Sequence, residues 1–179
     1  LGRLEIELSG KYYLVPLQVY CDGQIRTCEH VTSAAAFVRR VIGSFVRNAP
    51  PETMLVLKHH PLDRGYSNYK KLIQKLAQRY GCQDRVIYVH DLHLPTLLGH
   101  ALGTIVINST TALSSLFHKT PVIALGHTIY NMEGMTYQGK LDDFWQAPGT
   151  VDQQLFRNFR NYLLQTNQLN GNFYALPAS

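Results

Sequence analysis

The sequence predicts an α/β fold, a parallel sheet with helices packed on both faces. Five short apolar runs lack the polar alternation of a half-solvated strand, so both faces of each are expected to be buried. Stretches with apolar residues three and four apart separate these runs, the spacing of helices that cover a sheet. Strands alternate with helices almost without gaps, and right-handed crossovers would then make a Rossmann-like layer.

Tyr12 to Val19 (YYLVPLQV) is the first expected strand, ending at the turn-prone Cys21-Asp22-Gly23. Thr32 is the expected N-cap of a helix carrying Phe37, Val38, Val41, Ile42, Phe45 and Val46, which stops before Pro50-Pro51. Thr53 to His59 forms the second strand and runs into a polar loop, His60-Pro61-Leu62-Asp63-Arg64-Gly65. A helix on Tyr69, Leu72, Ile73, Leu76 and Ala77 ends at Gly81. Arg85 to Val89 is the third strand, followed by His90-Asp91 and a short helix through Leu97, Leu98 and Ala101. Thr104 to Asn108 is the fourth, followed by Ser109-Thr110-Thr111 and a helix from Leu113 to Phe117. Pro121 to Leu125 is the fifth, ending at Gly126. The periodicity then fades until Val151 to Gln165, where Leu155, Phe156, Phe159, Tyr162 and Leu163 mark a last amphipathic helix. Residues 1–179 are expected to form one Rossmann-like domain, with 152–179 as closing helix and tail.

Composition bounds the function. Hydrophobic residues make up 45% and charged residues 16%, which excludes a disordered tail, a coiled coil and a collagen-like chain. A formal charge of +5 favours an anionic partner: nucleic acid, a phosphorylated metabolite or an anionic membrane. Cys21, Cys28 and Cys82 are odd in number and form no CxxC pair, so reduced thiols are expected rather than disulfides or structural zinc. No run approaches 18 apolar residues and the start is not that of a signal peptide, so a soluble intracellular domain is expected. Ordered-looking sequence opens on Leu1 rather than Met, the mark expected of a piece of a longer protein.

In open parallel sheets ligands bind beyond the carboxyl ends of the strands. Each polar cluster falls at such an end: Asp22 after the first strand, His59, His60 and Arg64 after the second, His90 and Asp91 after the third, Ser109, Thr110 and Thr111 after the fourth. The hydroxyls and backbone N–H groups of Ser109 to Thr111 suit either a phosphate cradle or a simple helix cap. Lys58, His60 and Arg64 suit an anion, and His60 reads either as a donor to phosphate and leaving group or as a structural hydrogen-bonder. Asp22 reads as a base or nucleophile, or as an Asx-turn residue. Cys21 lacks an evident orienting base and reads as structural. His59, His60, His90 and His93 raise metal binding as a third option, but no HExxH or clustered Cys and His spacing supports it. GxGxxG, Walker-type and RNA-binding signatures are absent. Gly134 to Gly139 and Leu141 to Trp145 read as a polar, aromatic loop able to close over a ligand. Within it, Asp142-Asp143 is a solvated helix start rather than a metal-binding pair.

VPLQVYCDGQI (15–25), LVLKHHPLDRGY (55–66), VIYVHDLHLPTLL (86–98) and VINSTTALSSLFHKTPVIALG (106–126) together resemble the bacterial capsular polysaccharide synthesis and export family. The likeness continues through MTYQGKLDDFW (135–145) and NGNFY (170–174), covering nearly the whole chain in order. It implies a β-Kdo glycosyltransferase that moves 3-deoxy-D-manno-octulosonic acid from a CMP donor to a lipid acceptor, a phospholipid or growing Kdo linker. It also implies a GT-B enzyme of two Rossmann-like halves, of which this chain is similar to the C-terminal, nucleotide-binding one, the N-terminal acceptor half being absent. A fragment lacking that half is expected to be inactive on its own.

By the same resemblance, His60-Pro61 matches an HP motif and Ser109-Thr110 a serine-threonine motif, both implied to contact the donor phosphate. Gln18 and Asp22 match an acidic motif, Asp22 as the implied nucleophile of a retaining double displacement and Gln18 in support. Related two-module members carry two adjacent acids there, whereas this sequence has Cys21-Asp22, so the first acidic role is absent or supplied elsewhere. No metal or other cofactor is expected, because His60, Lys58 or Arg64 with helix N–H groups can stabilise the departing phosphate charge. Expected partners are a CMP-sugar donor, a lipid acceptor and other capsule assembly proteins, with no nucleic acid; the expected location is cytoplasmic, peripheral to the inner membrane. Cytosine-reading groups are sought near His90 to Pro95 and in the Gly134 to Gly139 loop. Two other readings stay open: a sugar-nucleotide epimerase-like enzyme on the same architecture, preferring a uridine nucleotide, and a noncatalytic export scaffold that binds no nucleotide.

Overall fold

Strand β1 (Tyr12–Pro16) occupies the middle of a five-stranded sheet, every neighbour of which pairs in parallel. A computed structural model describes residues 8–18, 33–60 and 69–166. Along the chain, β1 is followed by α1 (Ala34–Asn48), β2 (Met54–Lys58), α2 (Lys70–Tyr80), a 3-10 turn (Gln83–Arg85) and β3 (Val86–Val89). Then come α3 (Leu94–His100), β4 (Gly103–Val106), α4 (Thr111–Phe117), β5 (Val122–Ala124), α5 (Leu141–Phe144) and α6 (Gln153–Thr166). The sheet order β3-β2-β1-β4-β5 is that of a Rossmann-like half, as the alternation of apolar runs predicts.

Successive strand residues face opposite ways, and both directions are filled. Tyr13, Val15, Leu55, Leu57 and Ile105 pack with Phe37, Val41, Phe45 and Ile73 of α1 and α2. Their sequence neighbours Tyr12, Leu14 and Val56 pack with Leu97 and Leu98 of α3. Val106 and Val122 meet Ala112 and Leu116 of α4 and Phe156 of α6 on the second face. Leu14 and Val15, adjacent in sequence, are both fully buried.

The helix ends follow local chemistry. Ser33, with extended backbone, accepts a hydrogen bond from the Ala36 N–H at 3.1 Å through Oγ. The cap of α1 is thus one residue later than the expected Thr32, which lies outside the described residues. Gly81 ends α2 in the left-handed region at φ 64°, where a residue with a Cβ is disfavoured, and the Cys82 N–H closes the turn onto the Ala77 carbonyl. Burial pushes the Cys82 thiol above its usual range. Asp152 caps α6, its Oδ1 accepting from the N–H groups of Gln154 and Leu155 at 2.9 Å. On α6, Tyr162 is exposed rather than part of the buried stripe, which rests on Phe156 and Leu163.

Strands are shorter than the apolar runs predict. β1 stops at Pro16, β2 at Lys58, β4 at Val106 and β5 at Ala124, leaving Gln18, His60 and Asn108 on exiting loops.

The Leu141 to Trp145 segment departs from its expected role as a ligand-closing loop. Phe144 and Trp145 are buried in the core beside α1, and the Trp145 indole N–H donates to Ser44 Oγ at 2.8 Å. Ser44 in turn donates to Asp142, and the Tyr13 hydroxyl donates to the Trp145 carbonyl at 2.6 Å. A Cβ on Gly103 would lie 2.7 Å from Phe144 Cζ, so the ring sits directly under the amino end of β4. The Tyr137 N–H likewise donates to the carbonyl of Val122, the first residue of β5. The Tyr137 to Trp145 stretch therefore braces the amino ends of the strands, where a ligand beyond the carboxyl ends does not reach.

Candidate functional site

β1 and β4 lie side by side, but the chain leaves β1 toward β2 and β3 on one flank and runs through β4 to β5 on the other. Such a reversal leaves a crevice beyond the carboxyl ends, since loops diverge there. The Gln18 Nε2 donates to Asn108 Oδ1 at 2.9 Å, and the Asn108 backbone N–H approaches Gln18 Oε1 at 3.5 Å. Both side chains are buried, so this amide pair joins the two strand exits at the base of the crevice. Strands in a sheet lie about 4.8 Å apart, which separates the exits of β2 and β4 by roughly 10 Å across β1.

On the β4 side, Ser109 Oγ accepts from the Thr111 N–H at 3.2 Å. Thr110 begins α4 in helical geometry with no side-chain capping bond, and it is exposed. The hydroxyl that caps the turn is thus Ser109's. Tyr130, buried, donates its hydroxyl to the Ser109 carbonyl at 2.6 Å, and desolvation pushes its pKa up to about 12. Tyr130 thus ties the loop after β5 to this end of the sheet, as does the Gly126 N–H, which donates to the Ile107 carbonyl at 2.8 Å.

On the β2 side, Lys58 is the last strand residue and is buried, not an exposed cation of the following loop. Its Nζ donates one of three N–H bonds to the His90 carbonyl at 3.0 Å, bracing β2 against β3. His59 is 2% exposed; its Nδ1 lies 2.6 Å from the Tyr88 hydroxyl and its ring 4.6 Å from that of His90. His60 follows, half-buried, at the mouth of the loop.

His60, Ser109, Thr110 and Thr111 lie beyond carboxyl strand ends, as expected, and Gln18, expected inside the first strand, lies past its end as well because β1 stops at Pro16. Asp22, Pro61 and Arg64, with Cys21 and Cys28, lie outside the described residues. Asn108, Tyr88 and Tyr130 were not singled out as site residues from the sequence; for Asn108 a polar side chain at an apolar run's exit was the available signal, whereas Tyr88 inside β3 and Tyr130 well past β5 carried none. Among the described residues, no three His, Cys, Asp or Glu side chains are grouped to hold a metal ion, and His93 Nδ1 pairs with Thr96 Oγ1 at 2.9 Å. No described helix is long and apolar enough to cross a membrane. A cavity of about 370 Å³ lies away from the strand ends, between α4 and α6 and lined by Phe117, Phe156 and Leu163.

The family model described as "Capsule polysaccharide biosynthesis protein" matches residues 1–174. The capsule polysaccharide export protein KpsS of Escherichia coli is 46% identical over 174 residues, covering 97% of this chain and 45% of that protein. The capsule polysaccharide modification protein LipB of Neisseria meningitidis serogroup A is 42% identical, over 97% of this chain and 42% of that protein. The chain thus spans less than half the length of these curated relatives. In fold it is similar to Anabaena Alr3699/HepE, solved with UDP-glucose, at a TM-score of 0.53 and 11% identity over 92% of this chain and 43% of that one. Matched along nearly its whole length, the chain belongs to the capsule polysaccharide biosynthesis protein family.

Proposed function

We propose that this chain is the donor-nucleotide half of a capsule β-Kdo glycosyltransferase using CMP-Kdo. One arrangement supports the reading most: His60 and Ser109-Thr110 leave the carboxyl ends of β2 and β4 on either side of β1, around the Gln18–Asn108 pair. That is where an open parallel sheet receives a nucleotide. Membership of a capsule biosynthesis family supports the pathway.

In the proposed mechanism the donor phosphodiester lies between His60-Pro61 and Ser109-Thr110. The Asp22 carboxylate attacks the anomeric carbon, the carbon–oxygen bond to phosphate breaks, and CMP leaves with the electron pair. The phosphate then carries one more negative charge, which the His60 imidazole and the hydroxyls of Ser109 and Thr110 stabilise, with Arg64 as a further cation. An acceptor hydroxyl displaces Asp22 from the same carbon, its proton passing to base or solvent, and two inversions retain configuration. Lys58 supports the site through the β2–β3 brace. Transfer needs no metal, and it needs a second, acceptor-binding half that meets a lipid acceptor at the membrane surface.

Incubating the full-length protein with CMP-Kdo and a lipid acceptor tests this reading. Kdo transfer with retained configuration, undiminished by EDTA and absent in Asp22→Asn, is the expected result. Transfer from a uridine donor instead, or activity lost in EDTA and restored by magnesium, contradicts it.

A further inference from the structure

We propose that Tyr88 and His59 form a positioning pair that holds His60 in register for the donor phosphate. This rests on the reading of His60 as a phosphate contact. Three cross-strand bonds converge within two residues of β2's exit: Lys58 Nζ to the His90 carbonyl at 3.0 Å, the His59 N–H to the Val89 carbonyl at 2.8 Å, and Tyr88 hydroxyl to His59 Nδ1 at 2.6 Å. The last is the one that orients a side chain adjacent to His60. A buried imidazole costs more than a leucine of similar size unless it is hydrogen-bonded, so packing alone gives no reason for His59. A phenol is a better donor than acceptor, because its oxygen lone pair is drawn into the ring. Tyr88 therefore donates to Nδ1, His59 carries its proton on Nε2, and ring rotation is blocked. The neighbouring ring of His90, tilted 34°, flanks the same imidazole. With His59 fixed at side chain and backbone, the next residue leaves the sheet along one path.

The pair also predicts which substitutions keep the site. Asn at position 59 retains an acceptor close to where Nδ1 lies, whereas Leu fills the space and offers none. Tyr88 is half-buried, so Phe removes only the hydroxyl.

The test uses the full-length protein, CMP as titrant, and the variants Tyr88→Phe, His60→Ala, their combination, His59→Asn and His59→Leu. Tyr88→Phe and His59→Leu are expected to weaken CMP binding about tenfold, the worth of one good hydrogen bond, while His59→Asn stays within about threefold of the parent. The double variant is expected to bind like His60→Ala alone, since the pair acts through His60. Nitrogen-15 histidine spectra without ligand are expected to show His59 as one Nε2–H tautomer, mixed in Tyr88→Phe. Losses that add fully in the double variant, an unaltered affinity in Tyr88→Phe, or a His59 tautomer indifferent to Tyr88 overturns the proposal. If His60→Ala binds CMP as tightly as the parent, the donor-site reading itself fails and the positioning role falls with it.

Discussion

Gln18 and Asn108, 90 residues apart, hold the exits of β1 and β4 together through their side-chain amides. Both are buried, so removing one leaves its partner short of a hydrogen bond that water does not replace. Gln18→Ala is therefore expected to lower unfolding free energy by about 1–3 kcal/mol. Urea denaturation should show an earlier midpoint with an unchanged slope; an unmoved midpoint would mean that the amide pair contributes nothing to stability.

Ser44 links α1 to the Asp142 carboxylate and the Trp145 indole at once. Trp145→Phe leaves Ser44 without its indole partner inside the core and should cost about 1–3 kcal/mol. Trp145→Ala adds a cavity and should cost about 3–5 kcal/mol. CMP affinity in the part that remains folded is expected to stay unchanged, because these contacts lie at the amino ends of the strands. A selective loss of nucleotide binding at full stability would restore the ligand-closing role to this segment.

Two buried phenols set the behaviour in base. Desolvation raises both Tyr13 and Tyr130 from 10.0 to about 12, and each donates its proton to a carbonyl. Below pH 10 both states keep these protons; between about 10 and 12 the unfolded chain releases them first. Stability is therefore fully present below the unfolded value and falls as pH rises through the folded one, by a few kcal/mol in all. Urea midpoints should change little between pH 9 and 10 and decline between pH 10 and 11, and Tyr130→Phe should flatten part of that decline. A constant midpoint across the range would contradict the assignment.

His60 and Asp22 should separate kinetically. His60→Ala removes a phosphate contact made during binding and departure, so both KM and kcat should suffer, with kcat/KM down about a hundredfold or more. Asp22→Asn keeps the shape but not the nucleophile, so CMP binding should persist while transfer disappears. Equal transfer rates in Asp22→Asn and the parent would remove the covalent step.

The alternation of strands and helices was legible because burial on both faces leaves long apolar runs, with Leu14 beside Val15 and Val56 beside Leu57. Strand ends were less so: Ile107 continues the apolar run of β4 after its ladder has stopped, and the polarity change at Asn108 comes too late. Gln18 fell inside the expected first strand, which ends at Pro16 instead, whereas His60 and Ser109-Thr110 were readable as strand-end residues through their position alone. Their supports were not, because Tyr130's partner lies 21 residues away and Tyr88's lies 29 away. Distance misled most at Leu141 to Trp145, where Asp142 and Asp143 stay exposed but Leu141, Phe144 and Trp145 are core, the indole N–H being satisfied by Ser44 far upstream.

Calorimetric titration of CMP, with UMP as control, into the full-length protein and its His60→Ala variant tests the central claim most directly. Saturable binding of CMP in preference to UMP, weakened about tenfold or more by the substitution, is the predicted result. Preference for UMP, or CMP binding that His60→Ala leaves untouched, would contradict a CMP-sugar donor site at the exits of β2 and β4.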